Sequence, residues 1–414
     1  MWMWVCEKNF TGIMSFLTAG SLTANCLFML EAIIIAACLL LIFWARTLIK
    51  ARQIMYGDFV LGREWADKQD GELDPVSVIV PARNEEDNIR GCVSSLLSLD
   101  YPELEVVVVN DRSEDDTLRI LRELSKSDDR LKIVEGSELP EGWCGKTHAL
   151  HQGIMRAGYD WFLMTDADTE HKPWSLKAAM AMARKQNLQA LSLYPRLDCR
   201  SFWEKLLQPS VAALIENFVP LSRVNEPSDP LAWANGQYML MSRKSLDATG
   251  GWQGVRSKIL EDVAMADAIK RKGIPYKLLL ADRLFTTRMY SNLSEIVRGW
   301  SKNVFLAMGK HISAAIMVIL FTIIVTWVPL LGLLSGIVLA PGGDHPVLSL
   351  LAFGQYFFVL GVQAYVRSKI KLYPVYSLLA PVGALIVSFI VALSAYNHLV
   401  KKEILWKGRR MRDS

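Results

Sequence analysis

The chain has 414 residues, 51% of them hydrophobic, with a mean hydropathy of +0.21, which leaves room for more than one domain and is too apolar for an ordinary soluble protein. Its 46 basic residues nearly balance 42 acidic ones, so bulk charge does not point to a nucleic-acid partner. The six cysteines (Cys6, Cys26, Cys38, Cys92, Cys144, Cys199) show no CxxC and no regular spacing; they read as free thiols, not as a disulfide or zinc framework.

Leu27 to Trp44 is apolar apart from Glu31, long enough to cross a bilayer, and is followed by Arg46, Lys50 and Arg52. This reads as an uncleaved signal anchor (residues 1–45) whose following segment lies in the cytoplasm. Residues 46–74 read as a juxtamembrane linker. From Val76 the pattern alternates strand and helix: strands at Val76–Val80, Leu104–Val109, Leu131–Val134, Trp161–Thr165 and Ala190–Leu193, with helical spacing at Ile89, Cys92, Val93, Leu96 and from Lys146 to Ala157. Ser113 and Asp116 predict a capping box opening the helix that carries Leu118, Ile120 and Leu121. This is the pattern of a parallel sheet with crossover helices.

Phe202 to Val219 is amphipathic and fits either an ordinary packed helix or one lying in a membrane interface. Three apolar stretches follow: Ile312–Ala340, Val347–Val366 and Val375–Tyr396. Their parity is awkward. Three crossings from a cytoplasmic domain put the tail outside, whereas Lys401, Lys402, Lys407, Arg409, Arg410 and Arg412 favour the inside, as do Arg367, Lys369 and Lys371 for the preceding loop. One stretch must be re-entrant, interfacial or split. Few ionisable groups lie in these stretches, which argues against a transport path.

Polar groups that carry chemistry collect at the predicted strand ends, where ligands bind in open α/β sheets. After the first strand comes Pro81-Ala82-Arg83-Asn84-Glu85-Glu86, and after the second Asn110-Asp111-Arg112-Ser113; each suits a nucleotide and equally a solvated loop or a helix-capping acid. Gly142-Trp143-Cys144-Gly145-Lys146 places a cation against the start of a helix, which hints at a nearby anion such as a diphosphate; its spacing is not that of a P-loop. Asp166-Ala167-Asp168 sets two hard oxygen donors one residue apart, a pair that suits Mg²⁺ or Mn²⁺ as well as it suits a turn. Glu261-Asp262 opens a helix and offers a general base or a capping acid. In Arg298-Gly299-Trp300-Ser301-Lys302 the cations can clamp a diphosphate and Trp300 can stack on a sugar, although Trp and Lys are also ordinary interface residues. His171, three past the acidic pair, reads as a loop histidine or a further ligand.

Taken in this order and on this strand pattern, these motifs resemble the family 2 glycosyltransferases over about Pro75 to Gly309. Ser201-Phe202-Trp203-Glu204-Lys205-Leu206-Leu207 with Asn235-Gly236 resembles the hopene-associated group most, with ceramide glucosyltransferase-like and carotenoid-modifying members close behind. The resemblance implies an α/β fold: a GT-A (Rossmann-like, mostly parallel) catalytic domain over 75–311, an N-terminal anchor, a transmembrane region over 312–396 and a basic tail over 397–414. It implies an integral membrane protein, in the plasma membrane if bacterial, with its catalytic domain cytoplasmic. It implies a nucleotide-sugar donor, a membrane-lipid acceptor and inverting transfer, with no nucleic acid involved. By the same resemblance Pro81, Arg83, Glu85 and Asp111 hold the nucleoside and Lys146 meets the diphosphate. Asp166 and Asp168 match the DxD motif with Asp168 the usual ligand of a divalent cation (Mg²⁺ or Mn²⁺), and Glu261-Asp262 match the acidic motif with Asp262 as base. The family's Gln/Arg-x-x-Arg-Trp motif is altered here: Glu295 stands three before Arg298, and Gly299 separates Arg298 from Trp300. Transfer to polyprenyl phosphate, polysaccharide synthesis and a non-catalytic sugar-nucleotide scaffold are the competing expectations.

Overall fold

The computed structural model describes residues 35–55, 57–68, 71–339, 346–401, 404–406 and 409–411. Residues 27–34 of the predicted anchor, Glu31 among them, the loop 341–345 and most of the basic tail lie outside the described residues.

The centre of the fold is a seven-stranded sheet in the order β3-β2-β1-β4-β8-β6-β9. Its strands are β1 (Val76–Ala82), β2 (Leu104–Asn110), β3 (Leu131–Glu135), β4 (Trp161–Met164), β6 (Ala190–Tyr194), β8 (Met239–Ser242) and β9 (Tyr276–Leu280). All pairings are parallel except those of β8, which runs antiparallel to both β4 and β6. β1 and β2 are Val-rich and almost wholly buried because helices cover both faces, which is why they read as continuous apolar runs and not as alternation. A second sheet, β5 (Thr169–His171), β10 (Phe285–Thr287) and β7 (Arg196–Leu197), forms beside the end of β4. His171, expected in a loop, is therefore a strand residue.

The described residues begin in helix α1, seen over 35–55, followed by the short α2 (Glu64–Asp67). The crossover helices are α3 (Ile89–Leu97), α4 (Thr117–Ser125), α5 (Gly145–Arg156) and α6 (Ser175–Lys185). Then come α7 (Phe202–Phe218), the short α8 (Leu221–Val224), α9 (Arg243–Ala248) and α10 (Gly251–Gly254), α11 (Glu261–Arg271) and α12 (Leu293–Ala307). Helices α13 (Ile312–Leu339), α14 (Pro346–Lys369) and α15 (Ala380–Tyr396) follow, with a 3₁₀ turn Pro374–Leu379 before α15. A two-stranded hairpin, β11 (Ile404–Trp406) and β12 (Arg409–Met411), ends the described chain.

Two local expectations change. Helix α4 begins at Thr117, and Ser113 does not cap it: its hydroxyl accepts from the Asn84 N–H (3.0 Å), while Asp115 accepts from the Thr117 N–H (3.0 Å). Ser113 is used to join the loop after β2 to the loop after β1. A complete capping box stands instead at Ser201 and Glu204, where each side chain accepts from the other's backbone N–H at the start of α7. The segment read as a linker is also tied down: Leu61 is fully buried and donates its N–H to the Leu280 carbonyl (2.8 Å).

The chain divides into two compact units, Met1–Ala51 with Ile324–Val366, and Arg52–Ile323 with Arg367–Ser414. In the first, the Trp44 indole donates to the Val325 carbonyl (3.3 Å), and Gly336 lies against Ser349 and Ala352. The second holds all three sheets of the described residues and takes in α15, beyond the 75–311 limits expected of the catalytic domain. Among the described residues, three helical stretches are long and apolar enough to cross a membrane: Ile312–Val338, Ser349–Lys369 and Pro374–Lys401.

Candidate active site

Strands β1, β2 and β4 end on the same edge of the sheet, so the motifs that follow them converge. Pro81 is the penultimate residue of β1. Just beyond it, Arg83 donates to the backbone carbonyls of Asp111 (2.8 Å) and Arg112 (2.9 Å), and the Glu85 N–H donates to the Thr117 hydroxyl (2.8 Å). Asp111 is buried, with its N–H bonded to the Ala82 carbonyl (2.7 Å). Arg83, Glu85 and Asp111 thus build one wall from two strand ends.

The turn after β4 is bolted in place from below. The Thr165 hydroxyl donates to the Gln237 carbonyl (2.7 Å) and lies 3.0 Å from the Thr169 hydroxyl, which in turn donates to the Asp166 carbonyl (2.8 Å). His171 Nε2 is 3.1 Å from both threonine hydroxyls, and its ring stacks on Phe285 at 5.3 Å. Burial pulls His171 down to about 3, so the ring is neutral; it supports the turn from the core side and is not aimed at solvent. The Arg288 N–H reaches the Asp168 carbonyl (3.3 Å), while its guanidinium pairs with buried Glu204 (3.1 Å), which links the turn to the start of α7.

Across from this turn, Lys146 on the first turn of α5 bridges Asp166 (2.7 Å) and Glu261 (2.8 Å). Burial pulls the ammonium down, but Asp166, Glu261 and Asp262 outweigh it and hold Lys146 well above its ordinary range. Both Asp262 oxygens accept backbone N–H groups, Oδ2 from Gly236 (2.9 Å) and Oδ1 from Val263 (2.8 Å). Gly236 leaves room for this approach: a Cβ there would stand 3.0 Å from Lys146 Nζ and 3.2 Å from Asp262 Oδ2, so both side chains would have to give by a few tenths of an ångström. Burial and the neighbouring Glu261 charge push Asp262 up to about 6, against the pull of Lys146 and the two N–H groups.

Helix α12 presents Lys302 to the same carboxylates; burial pulls it down, opposed by Glu261, Asp166 and Asp262 and reinforced by Lys146. Arg298, one helical turn before Lys302, is exposed. The Trp300 indole donates to Gln208 of α7 (3.0 Å) and packs edge-on to Tyr290 (6.4 Å). Gly299, the residue that separates Arg298 from Trp300, makes room for Tyr290: a Cβ there would fall 2.2 Å from the tyrosine hydroxyl oxygen and 2.3 Å from its ring. Reading the sequence missed Tyr290, Arg288 and the Gln237–Thr287 contact (3.0 Å) that steadies the Gly236 loop, because these residues meet only through tertiary packing.

The donor set of the β4 turn fits a hard divalent cation. Asp168 Oδ1 is buried and has no hydrogen-bond partner among the described residues. Burial, Asp166 and Glu85 push Asp168 up to about 8, a cost that a cation between the carboxylates removes. Among the described residues no cluster of three His, Cys, Asp or Glu side chains closes a metal shell. Asp166 and Asp168 therefore suit a cation that takes its other ligands from water and substrate phosphates.

Residues 77–262, from β1 to the Asp262 carboxylate, match the family model described as glycosyl transferase family 2. A poly-beta-1,6-N-acetyl-D-glucosamine synthase of Staphylococcus epidermidis is 28% identical over 198 residues, 47% of this chain and 45% of that one. A 4,4'-diaponeurosporenoate glycosyltransferase of Staphylococcus aureus is 26% identical over 245 residues, 56% of this chain and 62% of that one. The chain thus spans less than two thirds of the length of either relative. Among solved structures, a mannosyltransferase from Pyrobaculum calidifontis in complex with GDP-Man and Mn²⁺ aligns over 90% of this chain and all of its own, at 19% identity and a TM-score of 0.45. Over residues 77–262, less than half of its length, the chain is similar to glycosyl transferase family 2.

Proposed function

We propose that the chain moves a sugar from a nucleotide-sugar, of the UDP-sugar class, to a hydroxyl of a membrane lipid at the cytoplasmic face, with inversion at the anomeric carbon. The observation that carries this reading is the meeting of Asp166, Lys146, Glu261 and Asp262 in one cluster, contributed by three separate elements at the ligand-binding edge of the sheet. Asp262 has the properties of a general base. Two backbone N–H groups fix its orientation, and its proton affinity is raised towards the working range. In the reaction an Asp262 oxygen takes the proton from the acceptor hydroxyl as that oxygen bonds to the anomeric carbon. The bond from that carbon to the diphosphate breaks, and the electron pair leaves with the diphosphate. Lys146 and Lys302 face the leaving group and offset its charge, while Arg83, Glu85 and Asp111 line the wall for the nucleoside. A cation held by Asp166 and Asp168, Mg²⁺ or Mn²⁺, supplies further neutralisation of the diphosphate.

The need for a base favours a neutral hydroxyl acceptor over polyprenyl phosphate, which arrives already ionised. The diaponeurosporenoate glycosyltransferase, whose name identifies a carotenoid-type carboxylate as acceptor, aligns over more of this chain than the polysaccharide synthase does; this supports a lipid acceptor and does not bear on the choice of a hydroxyl. The test is to incubate membranes containing the chain with a panel of radiolabelled nucleotide-sugars and to analyse the organic extract and the aqueous polymer fraction. Label in an alkali-stable, extractable lipid is the expected result. Label in a polymer or in an acid-labile phosphate-linked lipid would replace the acceptor assignment, and no transfer with any donor would remove the enzymatic reading.

A further inference from the structure

We propose that α15, although long and apolar enough to cross a membrane, lies along the membrane surface on the catalytic side, so that the chain end returns to the same side as the catalytic unit. The inference concerns membrane topology and is independent of the reaction proposed above.

Helix α15 is about 25 Å long at 1.5 Å per residue, and it is anchored to the catalytic unit at both ends. Before it, Tyr376 of the 3₁₀ turn meets Phe202 at the start of α7 (5.6 Å). In its first turn, Gly383 sits against Leu206 and Ser210 of α7. Midway, Val387 and Ile390 are buried with Leu207 and Val211 of α7 and Ile296 of α12. Near its far end the Ser394 hydroxyl, fully buried, accepts from the Phe305 N–H (3.0 Å), and His398 beyond it packs on Phe305 (5.8 Å).

The position of α13 then decides between crossing and lying flat. Val391 of α15 packs with Ala315 and Val318, in the first two turns of α13 as it leaves the catalytic unit. The other end of α15 follows Arg367, whose guanidinium donates to the Lys205 (2.7 Å) and Leu206 (3.3 Å) carbonyls of α7. Lys205 is four residues before Pro209, which has no N–H to give it, so Arg367 serves a carbonyl that the helix itself leaves open. Both ends of α15 therefore lie level with catalytic-unit elements. A crossing from the Arg367 end would carry residues 391–395 to the far half of α13, away from Ala315. It would also draw α12, with Glu295, Arg298 and Lys302, into hydrocarbon, where ionised groups are costly.

The face of α15 turned away from α7 and α12 is apolar and open: Val382, Leu385, Phe389 and Tyr396 are all more than two-fifths exposed. The occupant that fits is the acyl region just beneath lipid headgroups. The face is uncharged, and Arg367, Lys369 and Lys371 precede it, as cations do at a cytoplasmic interface. An interfacial helix ordinarily has a polar face towards water; here α7 and α12 cover that side instead. With α13 and α14 crossing and α15 not, the parity conflict disappears and the basic tail falls on the catalytic side.

The test uses the full chain with its native cysteines replaced and single cysteines introduced by Glu138→Cys in the catalytic unit, Gly343→Cys between α13 and α14, and Ser414→Cys at the end. A membrane-impermeant maleimide is applied to intact cells and to inverted vesicles. Positions 138 and 414 are expected to label from one side and 343 from the other. Labelling of 414 together with 343, or of all three from one side, overturns the proposal. Spin labels introduced by Val382→Cys, Leu385→Cys, Phe389→Cys and Tyr396→Cys give a second readout. Similar shallow depths support a surface helix, whereas a profile deepest at 385 and 389 overturns it. Catalysis is assayed separately, so failure here does not bear on the transferase reading.

Discussion

Glu105 and Asp168 are acids of the same sheet, withdrawn from solvent at opposite ends of its strands. Glu105, near the start of β2, accepts from the Ser77 hydroxyl (2.5 Å) and the Gly158 N–H (2.5 Å), and pairs with Lys132. Burial pushes its proton affinity up, but these three partners prevail and hold it below its ordinary value. Asp168, past the end of β4, keeps a buried oxygen without a partner and stands near 8. Asp262 is pushed up to about 6 in spite of two backbone donors, because burial and then the Glu261 charge beside it outweigh them. One end of the sheet neutralises its acids from within and gains rigidity. The other leaves them under-neutralised, an arrangement that the fold alone does not require and that a bound cation, diphosphate and acceptor proton would complete.

The contrast can be broken by substitution. The largest expected effect is on turnover: Asp262→Asn should lower kcat by ~10²–10⁴-fold with donor binding retained, as measured by transfer rate alongside nucleotide titration. A near-normal rate would remove the base assignment. Next, Asp168→Ala should abolish the thermal stabilisation that Mn²⁺ gives the wild type, which at a hundredfold excess over Kd amounts to about 2.7 kcal/mol. Melting curves with and without the ion decide it, and an undiminished shift would place the cation elsewhere. At the opposite end, Glu105→Gln should cost about 1–3 kcal/mol of stability, because the Lys132 and Gly158 donors lose a charged acceptor. Its activity per folded molecule should be unchanged; a loss of activity without a loss of stability would erase the distinction between the two ends.

The pH dependence is a finer test. Asp262 works as a base only when ionised, so kcat/KM should fall about tenfold per unit as pH drops below about 6 and level off above it. A profile flat down to pH 4.5 would contradict the raised affinity. The smallest effect belongs to Trp300→Phe, which removes the indole donor to Gln208 and should cost about 1 kcal/mol of stability, read by denaturant titration, with little change in donor binding.

Much of this was legible from residue order. Strands β1 and β2 announce themselves as buried Val runs, and the acids at their ends are visible because strand and loop chemistry change abruptly there. Strand β8 was not legible: Met239-Leu240-Met241-Ser242 has neither alternation nor β-branched residues, and its place between β4 and β6 depends on their register. Ser113 looked like a cap because a capping box is a local pattern, yet its hydroxyl is used by Asn84, 29 residues away. Lys302 could be named as a cation near the chemistry, but only tertiary packing decides that it meets the carboxylates while Arg298, one turn earlier, is exposed.

By itself the sequence determined the alternating α/β domain, the Asp-Ala-Asp turn, the Glu-Asp pair and the apolar segments, because each is written in local composition and period. Tertiary structure decided that Lys146 joins Asp166 to Glu261, that Gly236 and Val263 aim Asp262, and that an apolar segment long enough to cross a bilayer is packed along α7 and α12. Hydrophobicity reports how much surface must leave water. It does not report whether lipid or protein will cover it, and that depends on which helices the rest of the chain brings alongside.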